Sequence, residues 1–413
     1  MKKVTTILFA LMLLGFQAFP QTFGLFADIS VFKTGGDLKS DSRTPNGGYI
    51  ADGLLADVVT DAENVYAGSE ALHVQMFGNG GSRLYFTYNI DDTEAKENSA
   101  DFSEWDDINA FLVFHVKLNK AGDFRIGLWS LRDGNKPDES DESAVKHGLD
   151  TTKVGKWQKI ILPINDPFDG GHLHDYNQWA SFTFRDRDNL ADFYVDEVYV
   201  DYRPKTTFGI YADSSAFKLS GDLKTDTRSS NGGFIADGLL ADPVTDPFGI
   251  YAGGEALQVQ MFGNGGSRLY FAANIDDPEG KEATADFSDW NDMNAVIVYH
   301  VNLNKECDFR VCLWTLRNGE KPDESDESMV LQGLDSTKLG IWQKIVLPLD
   351  EGLEGNDHDF SQFASFPLRD RSNNANFLID EIYVIYPTVG TGTPKMKVAG
   401  LNMLSQNYPN PFA

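Results

Sequence analysis

Phe124-Arg125-Ile126-Gly127-Leu128-Trp129 returns later in the chain as Phe309-Arg310-Val311-Cys312-Leu313-Trp314. In the first hexamer Phe124, Ile126 and Leu128 point one way and Arg125, Gly127 and Trp129 the other, the period-two pattern of a strand with one buried face. The same alternation marks Ala71–Phe77, Ser82–Asn89, Ala110–Leu118, Lys156–Ile164, Ser181–Arg187 and Asp192–Asp201, with a shorter strand at Phe23–Asp28. Gly78-Asn79-Gly80-Gly81 suits a tight hairpin between the first two of these, because its residues tolerate positive φ. No helical stripe of useful length appears. Many short alternating strands joined by Gly, Asp and Asn turns predict an all-β chain of antiparallel sandwiches.

The repeat extends far beyond the hexamer. Thr22-Phe23-Gly24 recurs as Thr207-Phe208-Gly209, and Trp105, Trp129, Trp157 and Pro163 recur as Trp290, Trp314, Trp342 and Pro348. Roughly two-thirds of positions match until one residue is lost near Gly171, after which Arg185 and Asp196 align with Arg369 and Asp380. The chain therefore divides into copy one, residues 22–204, and copy two, residues 207–387. So short a join predicts a fixed angle between them.

Met1-Lys2-Lys3 and the apolar run Ile7–Phe19 read as a secretory signal peptide over residues 1–20. The run is too short to span a bilayer, and no later segment is a membrane span. Thirty-five basic against 62 acidic residues give a net charge of −27, which repels nucleic acid and anionic membranes. Cys307 and Cys312, the only two cysteines, lie on one predicted strand about 16 Å apart, beyond the roughly 7 Å between Cα atoms that a disulfide allows, so no disulfide frames the fold.

Residues 388–413 begin with a Gly/Thr/Pro linker, Thr388–Thr393. They end in Gln406-Asn407-Tyr408-Pro409-Asn410-Pro411-Phe412, which resembles the opening of the C-terminal sorting domain of type IX-secreted proteins. The resemblance implies export to the cell surface and a sorting domain of which only the start is present.

Tyr66-Ala67-Gly68 leading into Ala71-Leu72-His73-Val74, then Phe111–Phe114, Trp157–Ile160 and Phe193–Val198, follow one another as in non-catalytic carbohydrate-binding modules. The chain resembles those galactose-binding-like jelly rolls over nearly the whole of each copy. The resemblance implies that the strands carrying Arg83 and Tyr85, Arg125 and Trp129, and Arg185 lie side by side, so that these five residues share one surface. Copy two repeats them as Arg268, Tyr270, Arg310, Trp314 and Arg369. An exposed indole stacks on a sugar ring, and guanidinium groups donate paired hydrogen bonds to hydroxyls or a carboxylate. Three arginines on so acidic a protein point to an anionic extracellular polysaccharide. The rival reading is an ordinary sheet face whose arginines pair with local carboxylates.

The resemblance also implies a structural calcium ion held by Asp28, the carbonyl of Gly68, and Asp196, and in copy two by Asp213, Gly253 and Asp380. A metal, a backbone amide or exposure would each satisfy an Asp within an apolar strand. Lys136–Ser143, repeated unaltered as Lys321–Ser328, reads as a solvated acidic loop beside the Trp129 strand. His115 and His300 read as half-exposed structural residues, and His174 and His358 as turn residues. No nucleophile motif and no pair of carboxylates on the outward face indicate an enzyme. The sequence thus predicts a secreted, non-catalytic polysaccharide-binding protein gaining avidity from two sites. The alternatives are a structural or adhesive surface protein, or a jelly-roll lyase or glycoside hydrolase.

Overall fold

The computed structural model describes residues 22–387 apart from 28–48, 213–232 and a series of shorter loop segments. The predicted signal peptide and tail, with Asp28 and Asp213, lie outside the described residues. In copy one the chain forms β1 (Thr22–Phe26), β2 (Ile50–Asp52), β3 (Leu54–Val59), β4 (Ala71–Met76), β5 (Arg83–Thr87), β6 (Phe111–Leu118), β7 (Phe124–Arg132), β8 (Pro137–Ser143), β9 (Trp157–Pro163), β10 (His174–Asp175), β11 (Ser181–Asp186) and β12 (Asp192–Asp201). Copy two repeats them as β13 (Lys205–Tyr211), β14 (Ile235–Asp237), β15 (Leu239–Val244), β16 (Ala256–Met261), β17 (Arg268–Ala272), β18 (Val296–Leu303), β19 (Phe309–Arg317), β20 (Pro322–Ser328), β21 (Trp342–Pro348), β22 (His358–Asp359), β23 (Ser365–Asp370) and β24 (Asn376–Pro387).

Each copy is a sandwich of two antiparallel sheets. In copy one the first sheet runs β3-β4-β12-β6-β9, with β1 against β12. The second runs β2-β5-β11-β7, with β8 and β10 both on β7. The alternation read in sequence sets which side chains enter the core. Leu112, Phe114 and Val116 of β6 meet Phe124, Ile126 and Leu128 of β7 and Phe182 and Phe184 of β11 between the sheets. One end of this core is closed by stacked aromatics, with Phe102 and Trp105 ring centroids 4.5 Å apart and Trp179 edge-on to both. Each fully buried aromatic contributes about 1.5–3 kcal/mol, which accounts for sandwiches that need no disulfide.

The opposite face of β6 carries Phe111 and Val113, which are apolar as well. With Ile161 of β9 and Tyr199 of β12 they form a buried cluster with Val296, Val298, Val346 and Tyr383. These last four are the copy-two counterparts of the first four, so the copies pack through equivalent positions on equivalent sheets. The result is four stacked layers.

The join is pinned beside this cluster. Asp201 is fully buried and its carboxylate receives Arg203, Asn294 and the Lys205 ammonium; Arg203 also reaches Asp292 at 2.9 Å. Burial alone would push the Asp201 carboxyl up, but Lys205, Arg203 and the hydrogen bonds outweigh it and hold it well below the usual carboxylate range. Lys344 and Asp166 form a further ion pair between the copies.

Candidate functional site

The outward face of the β2-β5-β11-β7-β8 sheet is laid out in rows by its register. One row crosses from Asp52 through Arg83, Arg185 and Arg125 to Ser143. The next holds Ile50, Tyr85, Thr183, Gly127 and Asp141, and the third Thr87, Ser181, Trp129 and Glu139. Arg83, Tyr85, Arg125, Trp129 and Arg185 therefore share one face.

The segment read as a solvated loop is strand β8, and its register aims two acidic side chains onto that face. Glu139 binds the Arg83 guanidinium at 2.8 Å, Asp141 pairs with Arg185, and Arg125 leans back on Asp123 at 3.1 Å. The expectation of a face without a carboxylate pair is thus corrected. β8 escaped notice because Pro137-Asp138-Glu139-Ser140-Asp141-Glu142-Ser143 has no apolar residue with which to show a period. Its one available signal was identity between the copies in a segment rich in ligand-type oxygens.

Gly127 makes room for this arrangement. A Cβ there would lie 3.0 Å from Glu139 Oε1, 3.2 Å from Asp141 Oδ1 and 3.3 Å from Thr183 Cβ. The two carboxylates thus fill the space over Gly127 and Thr183 that a side chain at 127 would take. Around it, Trp129 Nε1, Arg83 Nε, Arg185 Nε, Thr183 Oγ1, Glu139 Oε1 and Asp141 Oδ1 are all buried without a hydrogen-bond partner in the protein. Buried polar atoms are normally satisfied, and each unmet one costs about 1–3 kcal/mol. All six are closed off from solvent, and Trp105, Trp157 and Trp179 Nε1 share this lack of partners elsewhere in copy one, so it does not by itself mark a ligand surface.

The aromatic residues are less open than the sequence implies. Tyr85 and Tyr270 are each 3% exposed, and burial pushes the Tyr85 phenol up although Arg83 opposes it. Trp129 is half-buried, with Lys96 Nζ 5.3 Å from its ring centroid. Burial, together with Arg83, Arg187 and Arg125, lowers the Arg185 pKa against the pull of Glu139.

Copy two repeats the frame on a different floor. Arg268 faces Arg369, Arg369 faces Arg310, and Trp314 lies opposite Glu324 on β20. The counterpart of Gly127 is Cys312, fully buried, and that of Thr183 is Pro367. Pro367 has no N–H to donate, and the β19–β23 pairing skips from Val311 to Trp314 across it.

The carboxylates expected to bind calcium have other partners. Asp196 is fully buried at a bulge in β12; one oxygen accepts the Tyr66 and Ala67 amides at 2.9 and 3.2 Å, the other the Glu197 amide at 2.7 Å. Asp380 repeats this with Tyr251, Ala252 and Glu381. Glu197 and Glu381 adopt φ of 46° and 45° there, a conformation rare outside glycine, while Gly68 and Gly253 turn at 74° and 72°. Among the described residues no group of three or more His, Cys, Asp or Glu side chains converges as a metal site.

The four recurring histidines, His115, His174, His300 and His358, are buried. His115 is 3% exposed beneath the Tyr66 ring, 3.7 Å away, instead of half-exposed. His174 bonds Ser130 at 2.5 Å and Ser140 at 2.8 Å, fastening β10 and β8 to β7. Ser130 is fully buried, so the pair is a fastening and not a presented nucleophile.

No protein-family model matches the chain, and no curated protein matches it. Solved structures do. The N-terminal CBM22-1–CBM22-2 tandem domain from Paenibacillus barcinonensis Xyn10C aligns at 12% identity over 84% of this chain and 95% of its own, TM-score 0.24. A family 30 carbohydrate-binding module aligns at 16% over 43% of this chain and 97% of its own, TM-score 0.30. The family 30 module of the cellulosomal cellulase Cel9D-Cel44B of Clostridium thermocellum aligns at 17% over 40% and 87%, TM-score 0.25. Likeness at this level leaves function to be argued from the site.

Proposed function

We propose that this chain is a secreted, non-catalytic polysaccharide-binding protein whose ligand lies across the outward β8-β7-β11-β5-β2 face. The observation that carries this reading is the register that sets Trp129 beside the ion-paired Arg83, Arg185, Glu139 and Asp141 on one face. Donors on Arg83, Arg185 and Trp129 alternate with acceptors on Glu139 and Asp141, beside a half-buried indole. Sugar hydroxyls donate and accept at once, so a pyranose answers such a mixture better than an ion or an apolar ligand.

The arginines already have carboxylate partners, so the face offers no uncompensated positive charge. That favours a neutral glycan over the uronate polymer expected from the arginines alone. Ion-paired carboxylates adjacent on one strand do not flank a bond from two sides as glycosidase chemistry requires. We retain as part of the proposal a structural calcium ion held by Asp28, the Gly68 carbonyl and Asp196, with Asp213, Gly253 and Asp380 as its counterparts in copy two. A glycan-array screen of the full chain in millimolar calcium tests the reading. Binding to a polysaccharide class, lost on Trp129→Ala with Trp314→Ala, is expected. Silence across neutral and uronic polymers would favour the adhesive-protein reading instead.

A further inference from the structure

We infer that the chain bridges two separate polysaccharide strands and does not grip one strand with both copies. This rests on the proposed binding face and goes beyond it.

The stacking order of the sheets sets the two candidate faces apart. Phe111, Val113, Ile161 and Tyr199 of the first sheet in copy one pack on Val296, Val298, Val346 and Tyr383 of its counterpart in copy two. The sheet bearing Trp129 covers the other side of the first, and the sheet bearing Trp314 covers the other side of the second. The two candidate faces are therefore the outermost surfaces of the four layers and look away from each other. With sheets about 10 Å apart, some 30 Å of protein separates them.

The orientation is held firmly. Asp201, Arg203, Lys205, Asn294 and Asp292 lock the join, and Lys344 pairs with Asp166 across it. A stiff polymer lying on one face runs past the molecule and cannot turn back onto the other. Two linked sites raise avidity only where geometry lets both engage the same partner, so avidity on a single strand is lost here. Two oppositely directed sites on a rigid block hold two strands at a set spacing. The differing floors, Gly127 and Thr183 against Cys312 and Pro367, make the two grips unequal in strength.

A sandwich capture assay tests this. A mixed-linkage β-glucan and, in parallel, a polygalacturonate are immobilised, the full chain is added, and fluorescent soluble polymer of the same kind follows. Expected is protein-dependent capture of label that rises and then falls as excess protein saturates both polymers separately. Trp129→Ala and Trp314→Ala, each checked for an unchanged melting temperature, should still bind immobilised polymer while capturing at least tenfold less label. Should one variant not fold, Arg83→Gln or Arg310→Gln supplies the same test on that face. Protein retained on the polymer without captured label overturns bridging and leaves polysaccharide binding standing. Capture that survives in both variants also overturns it, assigning the effect to self-association. Absence of binding to either polymer, with silence across the glycan array, removes both readings together.

Discussion

Replacing Gly127 by alanine separates the stability of copy one from the use of its face. The added Cβ would sit 3.0 Å from Glu139 Oε1 and 3.2 Å from Asp141 Oδ1, closer than these atoms ordinarily approach. Both are the ends of flexible side chains, so they yield by a few tenths of an ångström and loosen the Arg83–Glu139 and Arg185–Asp141 pairs. Those pairs are part-exposed and worth at most about 1 kcal/mol each. Against that loss, alanine within a strand gains about 0.5–1 kcal/mol over glycine. Net stability should therefore change by less than about 1 kcal/mol in urea unfolding. Binding should respond more strongly, because charge-assisted hydrogen bonds to a ligand are worth about 1.5–3 kcal/mol and two carboxylates are displaced together. A ten- to hundredfold rise in the copy-one Kd, read by titration calorimetry in a Trp314→Ala background, is the expected outcome. Unchanged affinity would show that Glu139 and Asp141 are not part of the ligand surface.

Three other perturbations probe the frame. Asp201→Ala leaves Lys205, whose side chain is 1% exposed, without its buried partner and should cost about 3–5 kcal/mol in equilibrium unfolding; a loss below about 1 kcal/mol would mean that the join is not locked electrostatically. His300 is held down to about 4 by burial and by Lys344, so the folded state binds its proton less readily than the unfolded chain. The stability of copy two should therefore be complete above about 6.5 and fall by a few kcal/mol as the pH drops towards 4, and His300→Gln should flatten that fall; an unchanged pH profile in the variant would refute the assignment. Chelation of calcium should lower the melting temperature if the calcium part of the proposal holds, and a flat response would leave Asp196 and Asp380 as clasps for backbone amides alone.

Strands with one apolar face were legible because burial writes a period of two into them, as in β4, β5, β7 and β11, while β6, β9 and β12 stood out by their apolar runs. β8 was not legible, since its side chains answer to arginines on neighbouring strands and not to the core. The same long-range pairing hid the carboxylates of the site, which are 56 residues from Arg83 in the case of Glu139. The four-layer stack did leave a trace. Phe111-Leu112-Val113-Phe114 is apolar on both faces, the pattern of a strand covered twice. Reading it as an ordinary half-buried strand missed the packing of the copies, and with it the opposed directions of their faces. The Asp196 clasp was visible only as an unexplained acid in an apolar strand, because its partners are amides of a loop 129–130 residues away.

Hydroxyl-radical footprinting of the full chain, with and without the polysaccharide that binds best on an array, reads the two outward faces at once. Expected is protection of Trp129 and of the β8 peptide carrying Glu139 and Asp141, with a matching footprint at Trp314 and none at Tyr66 or Tyr251. Protection confined to residues away from the two outward faces, with Trp129 and Trp314 as reactive as in the free protein, would contradict it.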